Sequence, residues 1–476
     1  MHDLVLQMFA FTVLSTAFVG LSVGATEPKR EANERQITSD NCNHVLTNAN
    51  VWSYDGEWIY YDVRSDLAGS RFDGNRIERV HVATGAVETI YESRQAACVG
   101  VVTTSPVADR IVFIHGPENP TAEWSYNAWH RRGAIIDGSQ ADKLINMDAR
   151  DITPPFTAGA LRGGSHVHTF SGDGQWIAFT YEDHVLAELD ALDAVRQPPH
   201  EKNVRQIGVS VPADFLPGQR VAVDAGNPRN HDGQYFSVVV SRTHDNPQPG
   251  SDQICRACED AWIGRAGYAR ADGEHQRRAI AFQGEVLSPD GRHVNEVFLL
   301  DLPADLTRAA DGPLEGTSTT RPQPPAGVVQ RRLTYTTQRR HPGIQGPRHW
   351  LRSSPDGARI AFLMRDDEGV VQLWTVSPGT GQLNQLTKNP HDIASAFTWS
   401  PDGKWIAHVM NGSVCVSDTS SGATQRLTKA YAGAQAPRPE ACVFSPDGKY
   451  VAYMRGTAAD GEKVRNQIFV CEMIAR

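Results

Sequence analysis

The sequence predicts an all-β fold, a β-propeller with seven blades. Three segments share one pattern, a Ser-Pro-Asp-Gly turn followed by an apolar run, and they begin at Ser354, Ser400 and Ser445. Proline at the second position of a turn with Asp-Gly after it reverses the chain, and the β-branched and aromatic residues that follow favour a strand. A turn-plus-strand unit that repeats every 45 residues or so (about one blade) is typical of a propeller.

Each blade is expected to contain four strands, an inner strand a followed by b, c and d. In the blade around Ser400, strand b is predicted at Trp405–Met410, strand c at 414–418, and strand d ends at Thr428. Degenerate copies of the pattern open the first three blades at Trp52, Thr104 and Phe170.

The fourth blade is predicted to be enlarged. Its strands b, c and d are predicted at 235–241, 297–301 and 329–334, and an insertion at about 242–278 separates strand b from strand c. This arrangement gives seven blades, whereas an insertion that formed a blade of its own would give eight.

The last blade shows no pattern for a strand d. Near the other end of the chain, Arg35-Gln36-Ile37-Thr38 matches the strand-d ending seen at Gln425-Arg426-Leu427-Thr428. We expect this N-terminal strand to complete the last blade, because a shared strand closes the ring and removes an exposed sheet edge. A single propeller domain is therefore predicted at 35–476.

The first 25 residues are apolar, carry one charged residue (Asp3) and end in the small-residue pattern Val23-Gly24-Ala25. This pattern predicts a signal peptide at 1–25, a linker at 26–34 and a periplasmic or secreted protein; an uncleaved membrane anchor is the alternative. No other stretch is apolar over the roughly 18 residues that span a bilayer. The net charge of -9 provides no basic surface for nucleic acid.

The chain contains seven cysteines, of which Cys255 and Cys258 are the closest pair in sequence. Without a second such pair or a nearby pair of histidines, their spacing does not indicate a zinc site. A local disulfide or two buried thiols is the prediction for this pair.

Alignment of the blades on their turn serines predicts which distant residues meet. The positions five and three residues before the turn line the central funnel, and they hold His166 and His168 in the third blade and His349 in the fifth. Alternate residues of a strand share a face, so His166 and His168 are predicted to point the same way. Histidine with carboxylate or amide ligands suits manganese, zinc or iron, and the predicted cofactor is a divalent metal, manganese or else calcium or zinc. The alternative for each is a hydrogen-bonded structural imidazole.

The loops on this side of the predicted ring are rich in charge, whereas the other side carries plain Ser-Pro-Asp-Gly turns. A guanidinium group binds a carboxylate as a fork, so arginines on these loops suit a carboxylate or another anion. Function is expected on this side, because loops on a rigid scaffold commonly carry it. The arginines concerned are Arg64, Arg162, Arg242 and Arg348, and the same loops hold His115 and His184.

Several motifs resemble known families. The C-terminal repeats resemble those of TolB-type propellers. Segments 113–120 and 159–168, with Pro249-Gly250-Ser251-Asp252 and Pro347-Arg348-His349-Trp350, resemble an uncharacterised family of bacterial TolB-like proteins. A more distant resemblance, carried by His115-Gly116-Pro117-Glu118 and the His166/His168 strand, is to oligogalacturonate lyases.

The resemblance to the lyases implies a metal-dependent enzyme that cleaves acidic oligosaccharides by β-elimination. Under this hypothesis His166, His168 and His349 hold the metal, His115 or His184 is the catalytic base, and the four arginines bind the substrate carboxylate. The resemblance to TolB implies the alternative, a non-catalytic propeller that binds an envelope protein.

Overall fold

A computed structural model of the chain describes residues 34–138, 143–192, 197–348, 350–458 and 463–473. These residues belong to one compact unit that spans Ala32–Arg476. The predicted signal peptide, nearly all of the predicted linker and the predicted metal ligand His349 lie outside the described residues. Among the described residues, no helix has the length and apolar character needed to cross a membrane.

The fold is a seven-bladed β-propeller, as predicted, and it contains seven four-stranded antiparallel sheets. In chain order the strands are β1 (Glu34–Gln36), β2 (Asn43–Val45), β3 (Trp58–Arg64), β4 (Arg76–His81), β5 (Val87–Glu92), β6 (Val99–Thr104), β7 (Arg110–His115), β8 (Arg132–Asp137), β9 (Ile145–Asn146), β10 (Ala149–Arg150), β11 (Ala160–Leu161), β12 (Gly163–Phe170), β13 (Ile177–Asp183), β14 (Gln206–Pro212), β15 (Tyr235–Val239), β16 (Ile254–Trp262), β17 (Tyr268–Ala269), β18 (His275–Gln276), β19 (Ala279–Leu287), β20 (His293–Asp301), β21 (Val329–Arg332), β22 (Arg352–Ser353), β23 (Ile360–Arg365), β24 (Val371–Val376), β25 (Leu383–Gln385), β26 (Thr398–Trp399), β27 (Trp405–Met410), β28 (Ser413–Asp418), β29 (Thr424–Arg426), β30 (Pro437–Phe444), β31 (Tyr450–Thr457) and β32 (Arg465–Glu472). An α-helix, α1 (His184–Asp190), follows β13.

The blades follow the chain in order. Blades one, two and three are β2–β5, β6–β9 and β12–β15; blade four is β16, β19, β20 and β21; blades five and six are β22–β25 and β26–β29; blade seven is β30, β31, β32 and β1. Two small sheets, β10–β11 and β17–β18, lie in connections. The first strand of each blade is the inner one, so these strands line the central channel.

The repeated turn has a physical reason for each of its residues. In the copy at Ser400, the serine hydroxyl donates to Asp402 (2.6 Å) and accepts from the backbone N–H of Trp405 (2.9 Å). Gly403 adopts a φ of 72°, a left-handed conformation that glycine adopts without strain. The same serine–aspartate bond forms at Ser445 and Asp447. The turn therefore fixes where strand b begins, which is why it predicted the blades.

Neighbouring blades are fastened by tryptophans at the ends of inner strands. The indole N–H of Trp52 donates to the carbonyl of Val443 in the preceding blade (3.1 Å). Trp399 donates in the same way to Arg352 (3.0 Å). The apolar clusters are shared between blades, since one of them joins residues of blade one to residues of blade seven. The core therefore lies mainly between the sheets, as expected for stacked blades.

The predicted closure of the ring by an N-terminal strand is confirmed. Strand β1 pairs antiparallel with β32, with Gln36 opposite Phe469, and the N–H of Ile37 continues the ladder to Ile468 (2.9 Å). The carboxylate of Glu34 holds the guanidinium of Arg455 at 2.7 Å. The outer edge of blade seven is therefore covered by a segment from the start of the described chain.

Blade four differs from the prediction. Strand β15 (Tyr235–Val239) was predicted to be strand b of this blade, which is wrong, since it pairs with β14 as the outer strand of blade three. The range 242–278 contains the inner strand β16 and the hairpin β17–β18 rather than only an insertion. The error arose because strand β14 was missed, which shifted every later assignment in this region. With β16 as its inner strand the blade is complete, and the ring has seven blades rather than eight.

A long connection, residues 302–328, joins β20 to β21 of blade four. Its tip contacts blade three, where the carbonyls of Thr317 and Thr320 accept hydrogen bonds from Arg162. The N–H of Glu201 donates to the carbonyl of Thr319 (2.9 Å). This connection is therefore fastened to the side of the ring where the inner strands begin.

Candidate functional site

The inner strands of several blades contain a β-bulge near the channel. In β12 the bulge lies between His166 and Thr169, and Val167 has a φ of 52°. The bulge separates the two histidines that strand alternation predicted to share a face, so that prediction was wrong. His166 is half-buried, whereas the side chain of His168 is fully buried. Register counted across a bulge no longer follows a period of two.

His168 belongs to a buried hydrogen-bond chain. Its Nε2 lies 2.9 Å from the hydroxyl of Ser165, and that hydroxyl donates to Asp148 (3.0 Å). Because the single hydroxyl proton of Ser165 is donated to the carboxylate of Asp148, Nε2 of His168 carries a proton and donates it to the Ser165 oxygen. Burial lowers the pKa of His168 to about 3, so its imidazole is neutral. The serine hydroxyl is polarised away from the histidine, which is the reverse of an activated nucleophile.

His166 lies among three arginines contributed by different parts of the ring. Arg64 ends β3 of blade one, Arg131 precedes β8 of blade two, and Arg205 precedes β14 of blade three. Burial lowers the pKa of His166 well below its ordinary value, and the positive charges of Arg131, Arg205 and Arg64 lower it further. We call His166 and these three arginines the arginine cluster. It lies where the inner strands begin, at the mouth of the channel.

Two of these arginines have carboxylate partners. Arg64 donates from Nε to Asp62 (2.8 Å) and lies over the ring of Phe72. Arg205 holds Glu182 at 2.6 Å. The charges of Arg64 and Arg205 are therefore balanced within the protein.

Arg131 lacks such a partner. Its side chain is almost fully buried (7% exposed), its closest polar contact is the hydroxyl of Tyr126 at 3.5 Å, and its Nε has no partner. Across the segments that the structure describes, no carboxylate forms an ion pair with Arg131. Burial lowers the pKa of this guanidinium and the charge of Arg205 lowers it further, whereas Tyr126 and the carboxylate of Glu182, which is the ion-pair partner of Arg205, oppose the decrease. A buried, unbalanced cation of this kind is costly unless an anion binds beside it.

The side chain of Thr180 contacts both the backbone and the ring of His166. The hydroxyl of Thr180 donates to the backbone carbonyl of His166 (3.1 Å) and also contacts Nδ1 of the ring (3.0 Å). When the single hydroxyl proton is directed at the carbonyl, Nδ1 of His166 donates to Thr180. In that tautomer the neutral ring carries its lone pair on Nε2, the nitrogen that accepts a proton.

The remaining blades contribute polar side chains to the same mouth. Arg352 donates to Asn48 at 2.5 Å, and Arg348 holds Glu440 at 3.1 Å. Both contacts link blade five, or the segment before it, to inner strands of other blades. Burial raises the pKa of Asp260, in blade four, to about 7, and the charge of Arg352 opposes this rise. The contact between Arg348 and Glu440 joins the segment before blade five to the inner strand β30 of blade seven.

The two histidines predicted as bases lie in a separate cluster around the loop that follows β7. Both ring nitrogens of His115 are engaged, Nε2 with the hydroxyl of Tyr91 (2.9 Å) and Nδ1 with the carbonyl of Gly116 (2.7 Å). Nδ1 of His184 lies 3.1 Å from Nε2 of His130. Burial lowers the pKa of both His115 and His184 to about 4. His115 therefore has no nitrogen left with which to take a proton from a substrate.

The other two predicted anion-binding arginines are not part of the arginine cluster. Arg162 is fully buried and pairs with Asp183 (2.5 Å) below the 302–328 connection. Arg242 has a side chain 49% exposed, lies 3.7 Å from Asp311, and lines a cleft of about 450 Å³ along the same connection. Of the four predicted arginines, Arg64 is the one in the arginine cluster.

The predicted metal site does not form among the described residues. Within them, two groups of three donor side chains come close enough to share an ion, namely Cys255 with Glu285 and His293, and Asp40 with His44 and Glu78. Neither contains His166 or His168, because the bulge directs His168 to Ser165. The described residues near His166 thus do not fit a metal by themselves, and the third predicted ligand, His349, lies outside the described residues.

Sequence reasoning missed Arg131 and Arg205, the residues that define the cluster. Both lie directly before the third strand of their blade, β8 and β14. Alignment on the turn serines did not reach them, since the loops between strands b and c differ in length. Alignment on the starts of the third strands would have placed both at the same mouth.

The chain resembles proteins of known sequence and structure. Residues 98–231 match the family described as a protein of unknown function (DUF3748). The uncharacterized protein YidR of Escherichia coli (strain K12) is 48% identical over 427 residues, covering 89% of this chain and 95% of that protein.

Solved structures with a similar fold are much more distant in sequence. An oligogalacturonate lyase in complex with manganese aligns with a TM-score of 0.53 and 12% identity over 93% of each chain. TolB from Acinetobacter baumannii aligns with a TM-score of 0.34 and 14% identity over 88% of this chain and 81% of that one. At such identities the lyase shares the fold of this chain. The sequence match to YidR is far closer, and the chain belongs to the family of that protein.

Proposed function

We propose that this protein is an exported enzyme that binds acidic oligosaccharides at the arginine cluster and cleaves them by β-elimination. The observation that carries the proposal is the buried guanidinium of Arg131, which has no carboxylate partner among the described residues and lies beside a neutral histidine. The signal-peptide pattern of residues 1–25 supports export to the periplasm or beyond.

A uronate carboxylate is the counter-charge that Arg131 requires. An anion placed there would receive charge-assisted hydrogen bonds in a partly dehydrated site, where such bonds are strong. Phosphate or sulfate groups would satisfy the charge as well, but the fold favours a sugar acid, because a propeller of the same fold is an oligogalacturonate lyase. Oligosaccharides also suit the open mouth of a channel, since it admits one end of a chain.

The residues at the mouth fit the first step of β-elimination. The guanidinium of Arg131 neutralises the uronate carboxylate, which makes the hydrogen on the adjacent carbon more acidic. Nε2 of His166 takes that proton, and the electrons of the broken C–H bond form a C=C double bond. The bond to the glycosidic oxygen then breaks, and that oxygen leaves with a proton from water or from His166. The products are an unsaturated uronate and a shortened sugar chain.

Binding of the substrate also increases the basicity of His166. In the free protein the nearby positive charges keep the pKa of His166 low, which makes it a weak base. A bound carboxylate offsets those charges, so it raises the pKa of His166 when the proton must be taken. Substrate binding thereby strengthens the base.

Manganese belongs to the lyase of similar fold, and no step here depends on it. A divalent metal at the mouth of this chain would supply further charge neutralisation. The described residues near His166 do not fit such an ion by themselves, and metal analysis of the purified protein tests for one directly.

The decisive experiment incubates the purified protein with oligogalacturonates, with and without manganese, and follows the ultraviolet absorbance of the unsaturated product. We expect product formation that His166→Gln abolishes, while oligogalacturonate binding, measured by calorimetry, is retained. His275→Gln, at an exposed histidine of the β17–β18 hairpin, is the matched control and should remain active. Binding without any product would instead support the non-catalytic alternative, a propeller that binds an acidic sugar or an envelope protein.

A further inference from the structure

A second cluster of reactive side chains lies in blade four, outside the arginine cluster. Cys255 is near the start of the inner strand β16, Glu285 is near the end of β19, and His293 begins β20. These three strands are neighbours in one sheet, and the pairing register brings their ends to one edge. The Sγ of Cys255 lies 3.4 Å from the carboxylate of Glu285 and 3.8 Å from Nδ1 of His293. Nδ1 of His293 lies 2.5 Å from the same carboxylate.

We propose that Cys255, Glu285 and His293 bind a zinc ion. Zinc–sulfur bonds of about 2.3 Å and zinc–nitrogen or zinc–oxygen bonds of about 2.0–2.2 Å set the donors of a tetrahedral site about 3.4–3.6 Å apart. Both separations from the thiol, 3.4 and 3.8 Å, already match this requirement closely. The imidazole and the carboxylate are hydrogen-bonded and must separate by about 1 Å to admit the ion.

The exposure of the three side chains allows that movement. The side chain of His293 is 62% exposed, whereas that of Glu285 is 22% exposed and contacts the thiol of Cys255 on the neighbouring strand. The histidine can therefore move outward while the thiol and the carboxylate stay in place. Cys255 is a free thiol, so its sulfur is available as a ligand.

The donor set selects the metal. A thiolate, an imidazole and a carboxylate form a mixed set that suits zinc, whereas calcium and magnesium require oxygen ligands. Three protein ligands leave a fourth position, and the exposure of His293 places that position toward solvent. Such an open position takes water or an anionic ligand, which distinguishes the site from a closed structural zinc centre.

This site was not apparent from the spacing of Cys255 and Cys258. The second cysteine is buried within the inner strand, and a bulge between Cys258 and Ala261 separates the pair from simple alternation. The ligands that accompany Cys255 instead come from strands more than twenty residues further along the chain. The second cysteine takes no part in the proposed site.

The test is direct metal binding to the full chain. The protein is stripped with a chelator and titrated with cobalt(II), which substitutes for zinc and gives an intense ultraviolet charge-transfer band when a thiolate is a ligand. We expect one cobalt per chain with this band, and its replacement by added zinc. Because loss of an outer-shell partner already weakens metal binding 10–100-fold, Cys255→Ser and His293→Gln should weaken it by about 100-fold or more.

Matched variants keep the result interpretable. Cys98→Ser, at another half-buried thiol, and His275→Gln, at another exposed histidine of blade four, should bind cobalt like the native chain. Thermal unfolding of each apo-variant shows that the fold is intact, and His293→Gln is the safer variant because its side chain is exposed. Cobalt bound without a thiolate band, or unchanged affinity in Cys255→Ser and His293→Gln, would overturn the proposal.

Discussion

Two buried arginines of this protein, Arg162 and Arg131, have opposite surroundings. Arg162 is fully buried and has every direction occupied, by the carboxylate of Asp183, by the carbonyls of Thr317 and Thr320, and by the ring of Phe156. Arg131 is almost as buried but is left with one long contact to a phenol. A buried charge with hydrogen-bonded partners stabilises the fold, whereas a buried charge without them is costly and favours binding of a ligand with the opposite charge. Burial alone therefore does not distinguish a structural arginine from a binding one.

The largest effect is expected from Arg162→Met. This change leaves the carboxylate of Asp183 buried without its partner and releases the 302–328 connection, so the free energy of unfolding should fall by about 3–5 kcal/mol. Urea denaturation followed by tryptophan fluorescence measures the loss. Addition of Asp183→Asn, which removes the stranded charge, should restore part of it. A double variant no more stable than Arg162→Met would show that the charge is not the cause.

A smaller effect of a different kind is expected from Arg131→Met. Removal of an unbalanced buried charge should leave the free energy of unfolding within about 1 kcal/mol of the native value or raise it. The affinity for oligogalacturonate should fall about 100-fold, close to 2.7 kcal/mol, because the ligand loses a buried charged partner.

Arg132→Met is the matched control for this experiment. Arg132 is the next residue, but it holds Glu118 at 3.1 Å in the separate histidine cluster, so its removal should leave oligogalacturonate affinity unchanged. The comparison would break if Arg131→Met destabilised the protein as much as Arg162→Met does. It would also break if the two neighbouring variants lost affinity equally.

The smallest expected effect is a shift in the titration of His166. Removal of the positive charge at Arg131 takes away one cause of the lowered pKa, so Arg131→Met should raise the pKa of His166 toward its ordinary value. NMR titration of the imidazole carbon signals measures this directly. In the native protein the folded-state pKa lies below that of the unfolded chain. The unfolded chain therefore binds a proton at His166 more readily than the folded protein does. This titration leaves the free energy of unfolding unchanged above about pH 6.5 and decreases it as the pH falls below that value.

The repeated turns made most of the fold predictable. A serine, an aspartate and a glycine each have a defined role in that turn, so copies at Ser400 and Ser445 locate strands regardless of the rest of the blade. A further copy at Ser288–Gly291 joins strands β19 and β20, b and c of blade four, instead of a and b. The motif therefore identifies a tight turn between strands but does not say which strands. Where the local pattern is weak, as at β14, a strand was missed, and β15 was therefore assigned to blade four instead of blade three.

The candidate site was predictable in place but less so in detail. The side of the ring where inner strands begin does gather charge, and Arg64, His166 and Arg348 lie there. Sequence alone could not show the bulge at Val167, because a left-handed valine has no sequence signature. It also could not separate Arg131 from Arg162, since the difference lies in partners contributed by distant segments.

The shared sheet of blade seven has a consequence for how the chain matures. Its outermost strand is synthesised before the strands of all the other blades and its other three strands after them, so no ring can form until β32 has been synthesised. Contacts between segments so distant along the chain slow folding, and until they form, β32 presents an unpaired edge that invites aggregation. A protein exported before it folds would not expose this unpaired edge in the cytoplasm. A tag fused close to Glu34 would disturb the pairing of β1 with β32, which closes the ring.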